Sequence, residues 1–271
     1  MIKTLILSDI HHKIDIADKI IKRVNADKVI CLGDFQDDFY DTAKMVENTC
    51  HWVNNFVKNP NHIMIWGNHD KQYAFKYSIF KCSGYDTWKQ HIINDLVPKK
   101  TWDKLKWYYI LDDKWLLTHA GLHKLNLPPS IQSLYKNRPL FLKSISEHLD
   151  NEIRIGFQCA ANNTSHWIFN AGYSRGGSQK VGGIDWCDWN MEFVPIRGLN
   201  SIVGHTSDNN VRWINLSEGS DTPIDINKEE FVTDSHILDN VELSTNVCID
   251  TNMNHYAIWN GKKLTIHPIR F

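Results

Sequence analysis

Three apolar runs near the amino terminus each end in a polar motif. Thr4-Leu5-Ile6-Leu7 leads into Ser8-Asp9, Lys28-Val29-Ile30-Cys31-Leu32 into Gly33-Asp34, and His62-Ile63-Met64-Ile65-Trp66 into Gly67-Asn68. Short runs without polar alternation predict strands buried on both faces. Between the first two, Ile14, Ala17, Ile20, Ile21 and Val24 recur at helical spacing. A second helix is predicted over 41–57, with Asn59-Pro60 as its stop. The order β-α-β-α-β predicts parallel strands joined by helical crossovers, an α/β fold.

Beyond this unit the pattern is mixed. Helices are predicted over Thr87–Leu96 and 101–108, and strands over Tyr108–Leu111 and 114–118 form a hairpin around Asp112-Asp113. Pro128-Pro129 opens a helical stretch predicted to reach Leu149. Residues 151–197 read as the least regular part, with Arg175-Gly176-Gly177, Gly182-Gly183 and Trp186-Cys187-Asp188-Trp189, a composition suited to a lid or binding wall. Short strands follow over 201–204, 211–216, 247–250, 256–259 and 264–269, with Asn260-Gly261 as a hairpin turn. No repeat or linker interrupts the chain. One domain over 1–271, with less regular insertions at about 71–110 and 125–197, is the simplest account.

Five short motifs carry the chemistry: Asp9-Ile10-His11, Gly33-Asp34-Phe35-Gln36-Asp37, Gly67-Asn68-His69-Asp70, His119-Ala120-Gly121 and Gly204-His205-Thr206. Each supplies a hard oxygen or an imidazole nitrogen, and the first three follow buried strands. Ligands at the carboxyl ends of neighbouring parallel strands can build a two-metal site. Two divalent ions about 3.5–4 Å apart acidify a shared water, neutralise phosphoryl oxygens and hold an ester in line. Such a pair needs a bridging carboxylate and a shell of O and N ligands, here drawn from Asp9, His11, Asp34, Asn68, His119 and His205. Taken singly, each is readable as a cap, turn or core residue; the ordered set is not.

Composition narrows the partners. A net charge of -1 gives no basic field to draw the whole molecule to nucleic acid or an anionic membrane. No apolar stretch reaches the roughly 18 residues of a membrane span. Six scattered cysteines without a C-x-x-C pair, and an amino terminus that runs straight into a ligand-bearing strand, lead us to expect free thiols and a cytoplasmic location.

The motifs resemble the calcineurin-like metallophosphoesterase superfamily, most closely its serine/threonine phosphoprotein phosphatase branch and the bacterial and phage relatives of that branch. The family pattern is GDxHG, GDxVDRG, GNH(D/E), HGG or HAG, and GHT. Asn246-Val247-Cys248-Ile249-Asp250-Thr251 and Gly261-Lys262-Lys263-Leu264-Thr265 also resemble its last two strands. The resemblance implies a four-layer α/β/β/α sandwich with two mixed sheets and inserted lid elements. It implies that Asp9 and His11 bind the first metal, Asp34 bridges, and Asn68, His119 and His205 complete the second. His69 falls on the family's catalytic histidine and Asp37 on the aspartate that hydrogen-bonds it. The implied reaction is attack of a metal-bridging hydroxide on a phosphate ester, with His69 as general acid. Two divalent ions are expected, manganese first, with Fe, Zn or Ni also suited to imidazole and carboxylate.

Three departures bear on the substrate. His12 stands where the family has glycine and reads as a solvent-edge residue. Asp38 stands where it has a phosphate-gripping arginine. Trp186-Cys187-Asp188-Trp189 replaces a stretch where relatives keep another. Arg175 and Arg197 are the candidate replacements, because a guanidinium fork suits phosphate. A phosphorylated protein or a nucleotide-type ester is the expected substrate. A metal-dependent nuclease and a non-catalytic binding protein are the alternatives, the first disfavoured by near-neutral charge and by Gly204-His205-Thr206-Ser207, which lacks the second histidine of GHxH. Trp186 and Trp189 read as lid packing, with base stacking as the alternative. His51, His62, His91, His148, His166, His236, His255 and His267 read as structural, and His123 as structural or lining the cleft.

Overall fold

The computed structural model describes residues 2–216, 224–225, 232–233 and 243–270. His236 lies outside the described residues. Two six-stranded sheets face each other. The first holds β1 (Thr4–Leu7), β2 (Lys28–Cys31), β3 (His62–Met64), β9 (Val232–Thr233), β11 (His255–Trp259) and β12 (Leu264–Pro268), in the order β3-β2-β1-β11-β12-β9. The second holds β4 (Tyr108–Leu111), β5 (Trp115–Thr118), β6 (Asn200–Val203), β7 (Arg212–Leu216), β8 (Ile224–Asp225) and β10 (Ser244–Cys248), in the order β4-β5-β6-β10-β7-β8.

Side-chain alternation along each strand explains the layering. Leu5 and Leu7 of β1 join a core shared with α1 (Ile14–Val24), α2 (Ala43–Phe56) and α4 (Thr87–Leu96), whereas Ile6 between them joins the core between the sheets. In β5, Leu117 faces the other sheet and Leu116 faces α7 (Arg138–Ala161). The result is helix, sheet, sheet, helix, the α/β/β/α sandwich. Pairing of β1 with β2 and of β2 with β3 is parallel, as the β-α-β-α-β pattern predicts. In the second sheet β5, β6 and β10 are also mutually parallel. Each sheet therefore presents three parallel strand ends.

Two stretches differ from expectation. The helix predicted over 101–108 is cut short: α5 spans Lys99–Trp102. Lys106 then donates its backbone N–H to Met64 at 2.8 Å and accepts from Trp66 at 2.9 Å, so the chain extends the edge of the first sheet instead of coiling. The stretch opened by Pro128-Pro129 divides into α6 (Pro129–Gln132) and the 24-residue α7, which continues past Leu149 into the segment read as irregular. Ile153, Phe157 and Ala160 carry the apolar stripe onward there. Gly156 in that stripe lets the helix lie directly on Ile168 and Phe169, since a Cβ there would fall 2.5 Å from the Ile168 methyl. The 108–118 hairpin forms as predicted, with Asp112 and Asp113 at φ 52° and 51°. Among the described residues, no helix is long and apolar enough to cross a membrane.

Candidate metal centre

The strand ends bring the five motifs to one place. Asp9 and His11 follow β1, Asp34 follows β2, and Asn68 and His69 open α3 (Asn68–Ala74) after β3. His119 follows β5 and His205 follows β6, so the two sheets contribute from opposite sides. Asp9, His11, Asp34, Asp37 and His205 all sit at positive φ, between 40° and 70°. Left-handed backbone costs a non-glycine residue roughly 1–3 kcal/mol and persists only where the surroundings impose it. The motif glycines allow close approach. A Cβ on Gly67 would fall 2.0 Å from Asp34 Oδ1, and one on Gly204 2.1 Å from Asp9 Oδ2.

Two groups of candidate ligands share one carboxylate. Ligand atoms of Asp9, His11 and Asp34 lie within 4.8 Å of one another, as do those of Asp34, His119 and His205. Asn68 joins the second group, with Oδ1 3.0 Å from His119 Nε2. The backbone fixes the rings. His11 Nδ1 donates to the Asp37 carbonyl at 2.5 Å and His119 Nδ1 to the Leu32 carbonyl at 2.8 Å. In each ring the remaining nitrogen, Nε2, is turned toward Asp34 Oδ2, at 3.9 Å for His11 and 3.2 Å for His119.

The fit to a cation rests on this arrangement. Asp34 Oδ2, Asn68 Oδ1, His119 Nε2 and His205 Nδ1 are four electron-pair donors packed together, with His205 Nδ1 3.2 Å from His119 Nε2. Such groups repel unless positive charge lies among them. Burial would lower His119, but Asp34 and Asp9 outweigh it and push its pKa up to about 10. Burial likewise opposes ionisation of Asp34, yet His119, His69 and His11 hold its carboxyl well below the usual range. Burial, His119 and Arg175 together push His205 well below its ordinary value, which keeps it neutral as a ligand must be. The buried Nε2 of His205 has no hydrogen-bond partner. The donor set therefore suits divalent ions that accept imidazole and carboxylate.

His69 stands beside this centre. Its backbone N–H donates to Asp34 Oδ1 at 3.0 Å, and its Nδ1 donates to Asp37 Oδ2 at 3.0 Å. The ring lies edge-on to His11 with centroids 5.6 Å apart. Burial would lower its pKa, but Asp34 and Asp37 raise it well above the ordinary value, so the ring holds its proton. Arg175 reaches the site from the Gly-rich segment. Its Nε pairs with Asp188 Oδ2 at 2.6 Å, and its Nη2 donates to Thr206 Oγ1 at 3.1 Å, one residue from His205. Arg197 instead holds its guanidinium 5.9 Å over the Tyr135 ring.

Several side chains differ from the sequence reading or escaped it. His12 is not at the solvent edge: its side chain is 1% exposed, with Nδ1 2.8 Å from Thr49 Oγ1 and Nε2 3.2 Å from Asp41 Oδ1. Its ring fills the space that the family's glycine would leave open. His123 is buried, and its Nδ1 accepts from the Leu125 N–H at 2.9 Å, capping a 3-10 turn. Trp189 stacks on Phe193 within the lid segment, while Trp186 meets His205 edge-on at 5.5 Å. Asp38 accepts from the Phe39 N–H, and its own N–H donates to Asp41. Asp70 accepts from the N–H groups of Asp34, Phe35 and Gly67, tying the second and third strand ends together. Asp250, just past the sixth parallel strand end, is buried, and burial together with Asp9 pushes it up to about 7.

Comparison with known proteins agrees with this geometry. No curated protein matches the sequence significantly. Among solved structures the fold is similar to that of a metallophosphoesterase from Sphaerobacter thermophilus, at 14% identity and a TM-score of 0.50, covering 100% of this chain and 89% of that one. A protein serine/threonine phosphatase from Saccharomyces cerevisiae aligns at 11% identity over 100% of this chain and 81% of that one, with a TM-score of 0.44. A cold-active protein-tyrosine phosphatase from a psychrophilic Shewanella aligns at 13% identity over the same shares, with a TM-score of 0.42. The family pattern for calcineurin-like phosphoesterases matches residues 2–209, which span all five motifs. The chain belongs to the calcineurin-like phosphoesterase family and is a metal-dependent phosphoric ester hydrolase.

Proposed function

We propose that this chain hydrolyses a nucleotide-type phosphate ester on two divalent ions, manganese in the native protein, held through a shared Asp34. The observation that carries the reading is that Asp34 belongs to both ligand groups, with the Nε2 atoms of His11 and His119 turned toward its Oδ2. Asp9 and His11 hold the first ion, and Asn68, His119 and His205 the second. Divalent ions bound there supply an acidified water and neutralise the phosphoryl oxygens.

The remaining chemistry belongs to side chains. With Nδ1 committed to Asp37, His69 protonates the departing oxygen through Nε2. The Asp37 carboxylate on Nδ1 supports this role, since it favours the protonated ring. Asp37 orients the ring. Arg175 grips a phosphoryl oxygen with the part of its fork that Asp188 leaves exposed, and Asp188 fixes the direction of approach.

The substrate class follows from charge. A dianionic monoester needs more positive donors at the reacting phosphorus than a monoanionic diester linkage, such as one within a nucleotide-type ester, and the loop after Asp37 offers the Asp38 carboxylate where relatives place arginine. A phosphoprotein is the alternative substrate. The test is kcat/KM for matched mono- and diester substrates with added Mn2+, in wild type, Arg175→Ala and Arg197→Ala. The reading predicts preference for the diester and a loss of about tenfold or more for Arg175→Ala, with Arg197→Ala near wild type. A strong preference for phosphoserine peptides, unaffected by Arg175→Ala, would overturn it.

A further inference from the structure

One buried network joins the acid histidine to side chains that are not themselves candidate ligands. Asp37, 3% exposed, receives four donors on its two oxygens. His69 Nδ1 and Gln72 Nε2 bind Oδ2 at 3.0 and 2.5 Å, and Tyr73 Oη and Lys89 Nζ bind Oδ1, both at 2.7 Å. Lys89 is itself buried. Its ammonium also donates to Asp41 and, at 2.8 Å, to the Gly84 carbonyl. Asp41 in turn contacts His12 Nε2 at 3.2 Å and accepts from the Asp38 N–H at 2.8 Å. The chain of contacts runs from His69 through Asp37, Lys89 and Asp41 to His12.

We propose that Lys89 is a positioning residue for proton transfer, acting on His69 through Asp37. The proposal rests on the reading of His69 as the general acid. Its physical basis is charge balance in a water-poor site. Two buried carboxylates share a single ammonium, which offsets their mutual repulsion, while His69 pairs with the far oxygen of Asp37. With Lys89 and Tyr73 both bound to Oδ1, that oxygen is held fast, so Oδ2 points at His69 Nδ1. That fixes the ring with Nε2 free for the leaving oxygen. Remove the ammonium, and Asp37 and Asp41 lose the cation that joins them, so Asp37 turns away from its neighbour. His69 then loses the acceptor that orients it.

Lys89 stands on the apolar stripe of α4, in register with Ile92, Ile93 and Leu96. The charge on that stripe is held by its contacts with Asp37, Asp41 and the Gly84 carbonyl. The same network absorbs two departures from the family pattern. His12 occupies the glycine position, and Asp41 pins the loop carrying Asp38. The loop tip, Phe39 and Tyr40, is 94% and 90% exposed, so the network anchors the base of that loop and not its tip.

The test compares wild type, Lys89→Met, Lys89→Gln, Lys89→Arg and His69→Ala, all as full chains with Mn2+. The readout is kcat across phenyl, 4-nitrophenyl and 2,4-dinitrophenyl phosphates, with metal content measured alongside. A good leaving group needs little protonation, so a defect in acid delivery shows most on phenyl phosphate. Lys89→Met should lose about tenfold or more on phenyl phosphate and much less on the dinitrophenyl ester. It should retain its metal, and Lys89→Arg should recover most of the loss. Lys89→Gln gives the same reading if the methionine variant fails to fold. Equal losses on all three esters, or no rescue by arginine, while His69→Ala shows the leaving-group dependence, would overturn the role of Lys89 alone. A His69→Ala profile that is flat across the esters would overturn the acid reading itself, and this proposal with it.

Discussion

At the scale of single residues, the centre depends on atoms that cannot move far. Asp34 Oδ1 accepts from the His69 N–H while Oδ2 faces two imidazoles, so this one carboxylate meets both groups. His69→Ala should keep both ions and lose turnover, most of all for poor leaving groups. Metal analysis and leaving-group kinetics on the same preparation check that. Gly67→Ala should cost nearly all activity, because the added methyl would fall 2.0 Å from Asp34 Oδ1. Asp38→Arg should raise kcat/KM on a small monoester by about tenfold, the value of a well-formed charge-assisted contact to phosphate. The candidate ligands and His69 stood out in the sequence because each of the first three motifs couples an unusual residue to the end of an apolar run. Lys89 and Asp41 were not, since no motif contains them. The one available signal for Lys89 was a charge on an apolar helical stripe, which alone says only that a partner is buried nearby.

At the scale of elements, two devices invite measurement. Gly156 of α7 faces Ile168 and Phe169 at contact distance. Alanine gains about 1 kcal/mol of helix propensity, yet overpacking costs about 1–3 kcal/mol, so Gly156→Ala should destabilise in urea denaturation. His123 caps a 3-10 turn while neutral, and burial pushes its pKa down to about 4. The unfolded chain takes up that proton near pH 6.5, the folded chain only near 4. Between those values the unfolded state binds more protons, so stability falls as pH drops, by up to about 3 kcal/mol. His123→Asn keeps an acceptor for Leu125 and removes the titration. Its urea midpoint should fall less than that of wild type between pH 7 and 4.5. The elements most easily read were those with a clean period, such as β1 to β3, α1 and α4. The failure over 101–108 has a tertiary cause: Lys106 satisfies its backbone against Met64 and Trp66, and that pairing overrides local helical spacing.

At the scale of the molecule, two sheets with three parallel strand ends apiece form a single centre, which explains why its residues span 9 to 205 of the chain. The first sheet's share was visible in the β-α-β-α-β pattern. The second sheet's was not, because its strands are short and its parallel partners β5, β6 and β10 lie far apart in sequence. Only motif order, and the family resemblance built on it, joined the halves. The central claim is that Asp34 serves two metal sites at once. Its most direct test is the metal content of the purified chain after Mn2+ loading and gel filtration, in wild type and Asp34→Asn, with phosphoesterase activity assayed in parallel. The account predicts two ions per wild-type chain, with Asp34→Asn weakened at both sites and nearly inactive. Two retained ions and full activity in Asp34→Asn would contradict it.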